Sequence, residues 1–342
     1  MKWWKFGVIV GLLVVLTGVR LYRLESEGIT YDEPVYVQAG RDYFRALGGL
    51  QFRQELWDYN KEHPPVTKYV YGFGDWIGRD VFGMGDEVKN TYTAARVTSV
   101  LIGTGSLLYI FGIAFFYLSF WWAVLVMVLA GVFPHFVAHT RLAGHESVML
   151  FFMVGTWYWY LAYREKRSWW RFALMNVHAV FGFASRFNIV LGFLPIWMWE
   201  LVDWVKSLGS KENLLRKIPW VLIWLPISVW IGTFLLFPYW WTEPIASIQS
   251  TLFHWGGDPQ ELFLGTVRST PWTYYWVYFW AQTPVLILVL GLFQALWVLW
   301  TFRTRQGKEF FLVGIFAVWF LWSLSNIKQG GMRYILPIYV PF

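Results

Sequence analysis

The chain reads as an all-α polytopic membrane protein, and three observations carry that reading. Of its 342 residues 57% are hydrophobic and only 14% are charged, too little charge to cover a soluble domain of this length. It carries 26 Trp, 19 Tyr and 30 Phe, side chains that collect where a bilayer meets water. Apolar runs approaching the ~20 residues that cross a bilayer as a helix recur along it. They cover the N-terminal stretch and roughly 94–117, 120–138, 147–163, 169–185, 187–204, 219–238, 273–300, 310–325 and 334 onward, about ten spans in all.

The first run, MKWWKFGVIVGLLVVLTGVRLYR, begins like a leader peptide. No small-residue cleavage site follows, so it is expected to stay as the first helix. With the N-terminus inside, the loops 164–171, 206–217 and 301–308 face the cytoplasm. All three are short and rich in Lys and Arg, as the positive-inside rule asks. The net charge of +7 then belongs to cytoplasmic loops and anionic lipid, not to nucleic acid. The absence of cysteine excludes disulfides and thiolate chemistry.

The outside segments become 21–93, 139–146, about 239–272 and 326–333, and most of the carboxylates lie in or next to them. No soluble domain, low-complexity stretch or internal repeat intervenes. Residues 1–342 read as a single transmembrane domain, with 21–93 and 239–272 as its working loops. The final GGMRYILPIYVPF begins an apolar run and stops inside it, as a truncated chain would.

In the first outside loop, ITYDEPVYVQAGRDYFRALGG, two carboxylates stand where the first span ends. After Pro34, Tyr36, Ala39, Tyr43 and Leu47 recur at helical spacing, with Gln38, Arg41, Asp42 and Arg45 on the other face. That predicts an amphipathic helix in the interface plane. Thr30-x-x-Glu33 matches a capping box. Asp32 as N-cap places Pro34 in the first turn, where its missing N–H is tolerated. Capping and chemistry are both open to Asp32. Further on, the two prolines of EHPPVTK fix a rigid turn.

Taken in order, YDEPVYV, EHPPVTK, RLAGHESVMLFF and RYILP resemble the protein O-mannosyltransferases and the related aminoarabinose transferases of lipid A. These belong to the GT-C superfamily of polytopic glycosyltransferases. The family's Asp-Glu pair is matched by Asp32 and Glu33, and its His-Pro-Pro-x-x-Lys by His63, Pro64, Pro65 and Lys68. Arg141 and Glu146 stand for its Arg and acidic residue at the fourth span, where Asp is usual. Arg186 stands where a Lys is common, and Arg333 and Tyr334 match its late Arg-Tyr. Soluble domains found in some relatives have no counterpart here.

The resemblance implies transfer of a sugar, with mannose foremost, from a polyprenyl phosphate such as a dolichyl phosphate to an acceptor hydroxyl. The acceptor is a protein Ser/Thr, a lipid or a glycan. It implies an integral protein of the cell (plasma) membrane with its site on the non-cytoplasmic side. Such a displacement needs a carboxylate to take the hydroxyl proton and cations to hold the departing phosphate. The expected base is Asp32, with Glu33 beside it, and a single base in direct displacement inverts the anomeric carbon.

Lys68, Arg186 and Arg333 are the expected phosphate ligands, with Arg268 and Lys328 behind them. His63, Arg141, His145, Glu146 and Asp258 are further site candidates, and His254 and Glu261 flank Asp258 in the loop 253–265. A divalent metal is left open. His135 and His139 are four apart and His145 and Glu146 lie nearby, but the Glu of HExxH is missing. The rival class is a lipid-linked-sugar transporter or flippase. Transporters gather ionisable residues at the midplane, often in repeated halves, whereas here they gather in outside loops.

Overall fold

The computed structural model describes residues 2–85, 88–208, 219–253 and 260–301, with isolated positions between 303 and 318. Helices occupy every predicted run through 273–300, in order α1 (Trp3–Leu21), α2 (Glu33–Gly48), α3 (Val66–Trp76), α4 (Val88–Tyr117), α5 (Phe120–Val132), α6 (Pro134–Thr140) and α7 (Glu146–Glu165). They continue with α8 (Trp169–Phe183), α9 (Val190–Leu208), α10 (Trp220–Leu236), α11 (Pro244–Leu252), α12 (Tyr274–Gln282) and α13 (Val285–Thr301). A two-stranded antiparallel hairpin, β1 (Gln260–Phe263) and β2 (Thr266–Ser269), lies before α12. The runs at 310–325 and 334 onward lie largely outside the described residues.

Among the described residues, Trp3–Ser26, Tyr92–Tyr117 and Phe187–Leu208 are each long and apolar enough to cross a membrane, and the number rises to 5 if each of two bent pairs is one span. The count of ten spans therefore stays an expectation. The bends have a common cause. Pro134 and Pro284 each lack the N–H that would continue the preceding helix. The run 120–138 is thereby broken into α5 and α6, bent by 61°, and the run 273–300 into α12 and α13, bent by 109°.

The chain forms two compact units. The first comprises Met1–Ile189 and Trp224–His254, the second Val190–Ile223 and Trp255–Phe342. In the first, α4 packs against α1, α3, α5 and α7, and α7 against α8. Arg20, fully buried near the end of α1, ties that helix to the α5–α6 bend. It donates from Nη2 to the Gly131 carbonyl at 2.8 Å, from Nε to Thr140 Oγ1 at 3.1 Å and from Nη1 to the Leu16 carbonyl at 3.0 Å.

The amphipathic pattern of α2 was legible, but its apolar face is spent on protein. Tyr36, Val37, Ala39, Tyr43 and Ala46 are buried, in clusters that include Trp57, Tyr71, Ala95, Ala143 and Phe237. The close partner is α3, and glycine sets the distance. A Cβ on Gly72 would lie 2.1 Å from the Gly40 carbonyl oxygen. Two small residues thus let the α2 and α3 backbones touch, which brings the start of α2 beside the His-Pro-Pro turn.

In the second unit, α12 buries Tyr274, Tyr275 and Phe279 against Phe263 of the hairpin. The hairpin turns at Leu264 (φ 51°) and Gly265 (φ 81°), the left-handed pair that a tight two-residue hairpin turn demands.

Candidate active site

The candidate site lies in the first unit, where the segment 141–146 (RLAGHE) joins the other motifs. Glu33 is fully buried at the start of α2. Its Oε1 accepts from Arg96 Nε at 2.7 Å and from the Ala143 N–H at 2.9 Å. Its Oε2 accepts from Arg96 Nη2 at 2.7 Å and from the Thr30 N–H at 2.9 Å. Burial alone would raise the Glu33 pKa, but the Arg96 fork and the two backbone donors outweigh it and hold the carboxyl below its usual range. Arg96 also gathers the loop before α2, donating to the carbonyls of Leu24, Glu27 and Gly28.

The adjacent residue differs. Asp32 occupies the N-cap position, yet its side chain makes no capping hydrogen bond, and it stays partly exposed. The Thr30–Glu33 half of the capping box does form, through the Glu33 carboxylate and the Thr30 N–H.

The His-Pro-Pro turn is fastened on two sides. The Val66 N–H donates to the Ala184 carbonyl at 2.8 Å. Thr67 Oγ1 lies 3.0 Å from His145 Nδ1. Lys68, expected to meet a phosphate, is fully buried and donates to the carbonyls of Asn60 and of His63, the latter at 2.8 Å. Its ammonium also lies 4.8 Å from the centre of the Tyr43 ring. Burial lowers its pKa to about 7. Tyr71 of α3 donates its hydroxyl to the Gly144 carbonyl.

His63 meets the rings of His145 and Tyr36 edge to face, with centres 4.7 and 5.7 Å away, and Tyr36 lies tilted against His145 at 4.2 Å. His145 and Tyr36 are buried, while His63 is partly exposed. Glu146, the first residue of α7, forms a buried ion pair of 3.1 Å with Arg186 after α8. Gly144 leaves room for that carboxylate, since a Cβ there would lie 2.3 Å from Glu146 Oε2. Arg141 clasps the first loop, paired with Glu27 at 2.6 Å and donating to the Tyr22 carbonyl.

The structure thus brings together Asp32, Glu33, His63, Lys68, Arg141, His145, Glu146 and Arg186. Arg333, Lys328, Asp258 and His254 lie outside the described residues, as does the side chain of Glu261. Arg268 lies over Phe263 in the hairpin of the second unit. His135 and His139 share a face of α6 with rings 6.3 Å apart. No group of three or more His, Asp or Glu suited to a metal occurs among the described residues. Sequence reasoning missed Arg96, Tyr71 and Thr67. Arg96 had a signal, since an ionisable residue inside an apolar run needs a partner.

Residues 62–230 match the family described as dolichyl-phosphate-mannose-protein mannosyltransferase. The fold is similar to a solved chain of the S. cerevisiae protein O-mannosyltransferase Pmt1-Pmt2 complex bound to the sugar donor. The TM-score is 0.54 at 14% identity, over 77% of this chain and 38% of that chain. The chain therefore spans well under half the length of that relative. A search of curated proteins gives no match. Together the family match and the fold support the GT-C superfamily that the ordered motifs resemble. The matched family is one of mannosyltransferases, and the apolar helices accord with an integral membrane protein.

Proposed function

We propose that this chain moves a sugar, mannose foremost, from a polyprenyl phosphate to an acceptor hydroxyl at the non-cytoplasmic face of the cell membrane. The observation that carries the assignment of roles is the contrast between neighbours. Glu33 is buried and holds four hydrogen bonds, whereas Asp32 is partly exposed and leaves the helix end uncapped by its side chain. A base must reach the proton it removes, so Asp32 takes that role and Glu33 positions it.

In the reaction the acceptor oxygen attacks the anomeric carbon as its proton passes to an Asp32 carboxylate oxygen. The bond from that carbon to the phosphate oxygen breaks, its electron pair leaves with the polyprenyl phosphate, and the anomeric centre inverts. The departing charge needs cations. Arg186, set by Glu146, and Arg333 are assigned to it. Lys68 acts from beneath, holding the turn that presents His63 beside Tyr36. A protein Ser/Thr hydroxyl is the leading acceptor, with a lipid or glycan hydroxyl next.

The test uses the purified chain in liposomes with radiolabelled polyprenyl-phosphate mannose and a Ser/Thr-rich peptide. Labelled peptide is expected, with a loss of about 100-fold or more in Asp32→Asn, the scale of a missing general base. Undiminished transfer by Asp32→Asn would remove it from the chemistry.

A further inference from the structure

Beyond the transfer reaction, the second unit carries a two-part surface that the sequence placed in an outside loop and a span. Each part has one face committed to protein and one apolar face turned outward. On α12, Tyr274, Tyr275 and Phe279 face the core. Trp276 and Trp280 lie on another face and, with Trp272 just before the helix, line a shallow groove of about 600 Å³. On the hairpin, Phe263 is buried. The cross-strand pair Leu262 and Val267 and the tip residue Leu264 are 63%, 71% and 70% exposed.

We propose that the hairpin and α12 form a ledge that lies in the headgroup–acyl boundary of the bilayer. The argument for lipid as the occupant is continuity and chemistry. After Pro284, α12 turns by 109° into α13. The outward residues of α13, among them Leu292, Phe293, Leu296 and Leu299, are apolar and exposed. With α13 taken as the part of the 273–300 run that crosses the bilayer, α12, bent by 109° from it, runs along the membrane plane, and a Trp-rich face is what that zone favours. A carbohydrate platform would also use Trp, but it needs polar groups to read hydroxyls. Of the groove's lining residues only Thr273 has a polar side chain other than an indole. The one basic group described on the hairpin, Arg268, sits over the buried Phe263 ring instead of on the outward face.

The chain contains no cysteine, so a Leu264→Cys variant takes a single nitroxide label. In lipid nanodiscs of phosphatidylcholine and phosphatidylglycerol, collisions of the label with oxygen should exceed those with a water-soluble nickel chelate. The resulting depth should be roughly 5–10 Å below the phosphates, as for an interfacial element. A label at Asp58, on a loop whose side chain is 56% exposed, gives the aqueous reference. Nickel collisions equal to that reference would overturn the ledge, and so would a label shielded from both agents. In a second arm, Leu262→Asp with Val267→Asp should bring the Leu264 label into water. A label that keeps its depth would mean the apolar face does not hold the hairpin in lipid.

Discussion

Replacing Glu33 by Gln tests the division of labour between the two adjacent carboxylates. The substitution keeps the side-chain shape and removes the charge. Glu33 accepts two hydrogen bonds on each oxygen, at 2.7 and 2.9 Å on either side. Glutamine offers one oxygen and one NH₂, so one pair of donors would face another donor. Arg96, only 3% exposed, would lose its counter-charge, and breaking a buried pair from one side costs about 3–5 kcal/mol. The adjacent Asp32→Asn removes an equal charge from a partly exposed side chain, where an ion pair or hydrogen bond is worth about 0.2–1 kcal/mol, so its cost should stay well below that of Glu33→Gln.

The assay is thermal unfolding in detergent, followed by monodisperse elution, run beside transfer activity. Glu33→Gln should unfold far below wild type, and Asp32→Asn should melt near wild type yet be inactive. The pH dependence of stability extends the test. The Glu33 pKa is depressed in the folded protein, so its stabilisation is complete above the usual glutamate range near ~4.3 and is lost as pH falls through the folded value. Wild type and Glu33→Gln should therefore converge in acid. Equal stability of the two proteins at neutral pH would refute the anchor role.

Three more outcomes are expected. Lys68 has a folded pKa of about 7, below its unfolded value, so the unfolded chain binds more protons between the two and stability should rise with pH from about 7 towards ~10.4. Lys68→Met should flatten that rise in melting temperature, and an unchanged slope would dismiss the lysine as its source. Gly72→Ala would press a Cβ to 2.1 Å from the Gly40 carbonyl. The strain of such overpacking is about 1–3 kcal/mol, measurable as a lower melting temperature, whereas Gly48→Ala, with open space around it, should not show it. Tyr71→Phe leaves the buried Gly144 carbonyl without its donor, for a loss of about 1–3 kcal/mol. An unshifted melting temperature would show that bond to be dispensable.

What could be read from the sequence was whatever leaves a local mark. Apolar runs located the helices, Pro34 located the start of α2, and the ordered motifs carried the superfamily. The bends at Pro134 and Pro284 were marked too, but each sat inside a run whose length alone suggested one straight span. The roles within the motifs were hidden for a different reason. The capping box Thr30-x-x-Glu33 was the one local mark that set Glu33 apart from Asp32. Their difference is made by Arg96, distant in sequence, and by the Ala143 N–H. Likewise no local pattern marks the Asn60 and His63 carbonyls to which the Lys68 ammonium donates. Long-range pairing is the information that periodicity does not carry.

The buried Arg20 has a consequence for how the protein is made. Its acceptors include the Gly131 carbonyl and the Thr140 hydroxyl, groups that leave the ribosome long after α1. Until they arrive, the guanidinium must reach up to the water at the membrane surface, because a bare cation within lipid is costly. The first helix is thus inserted early but seated late. Its last turn is drawn into place only when the α5–α6 bend exists to receive it.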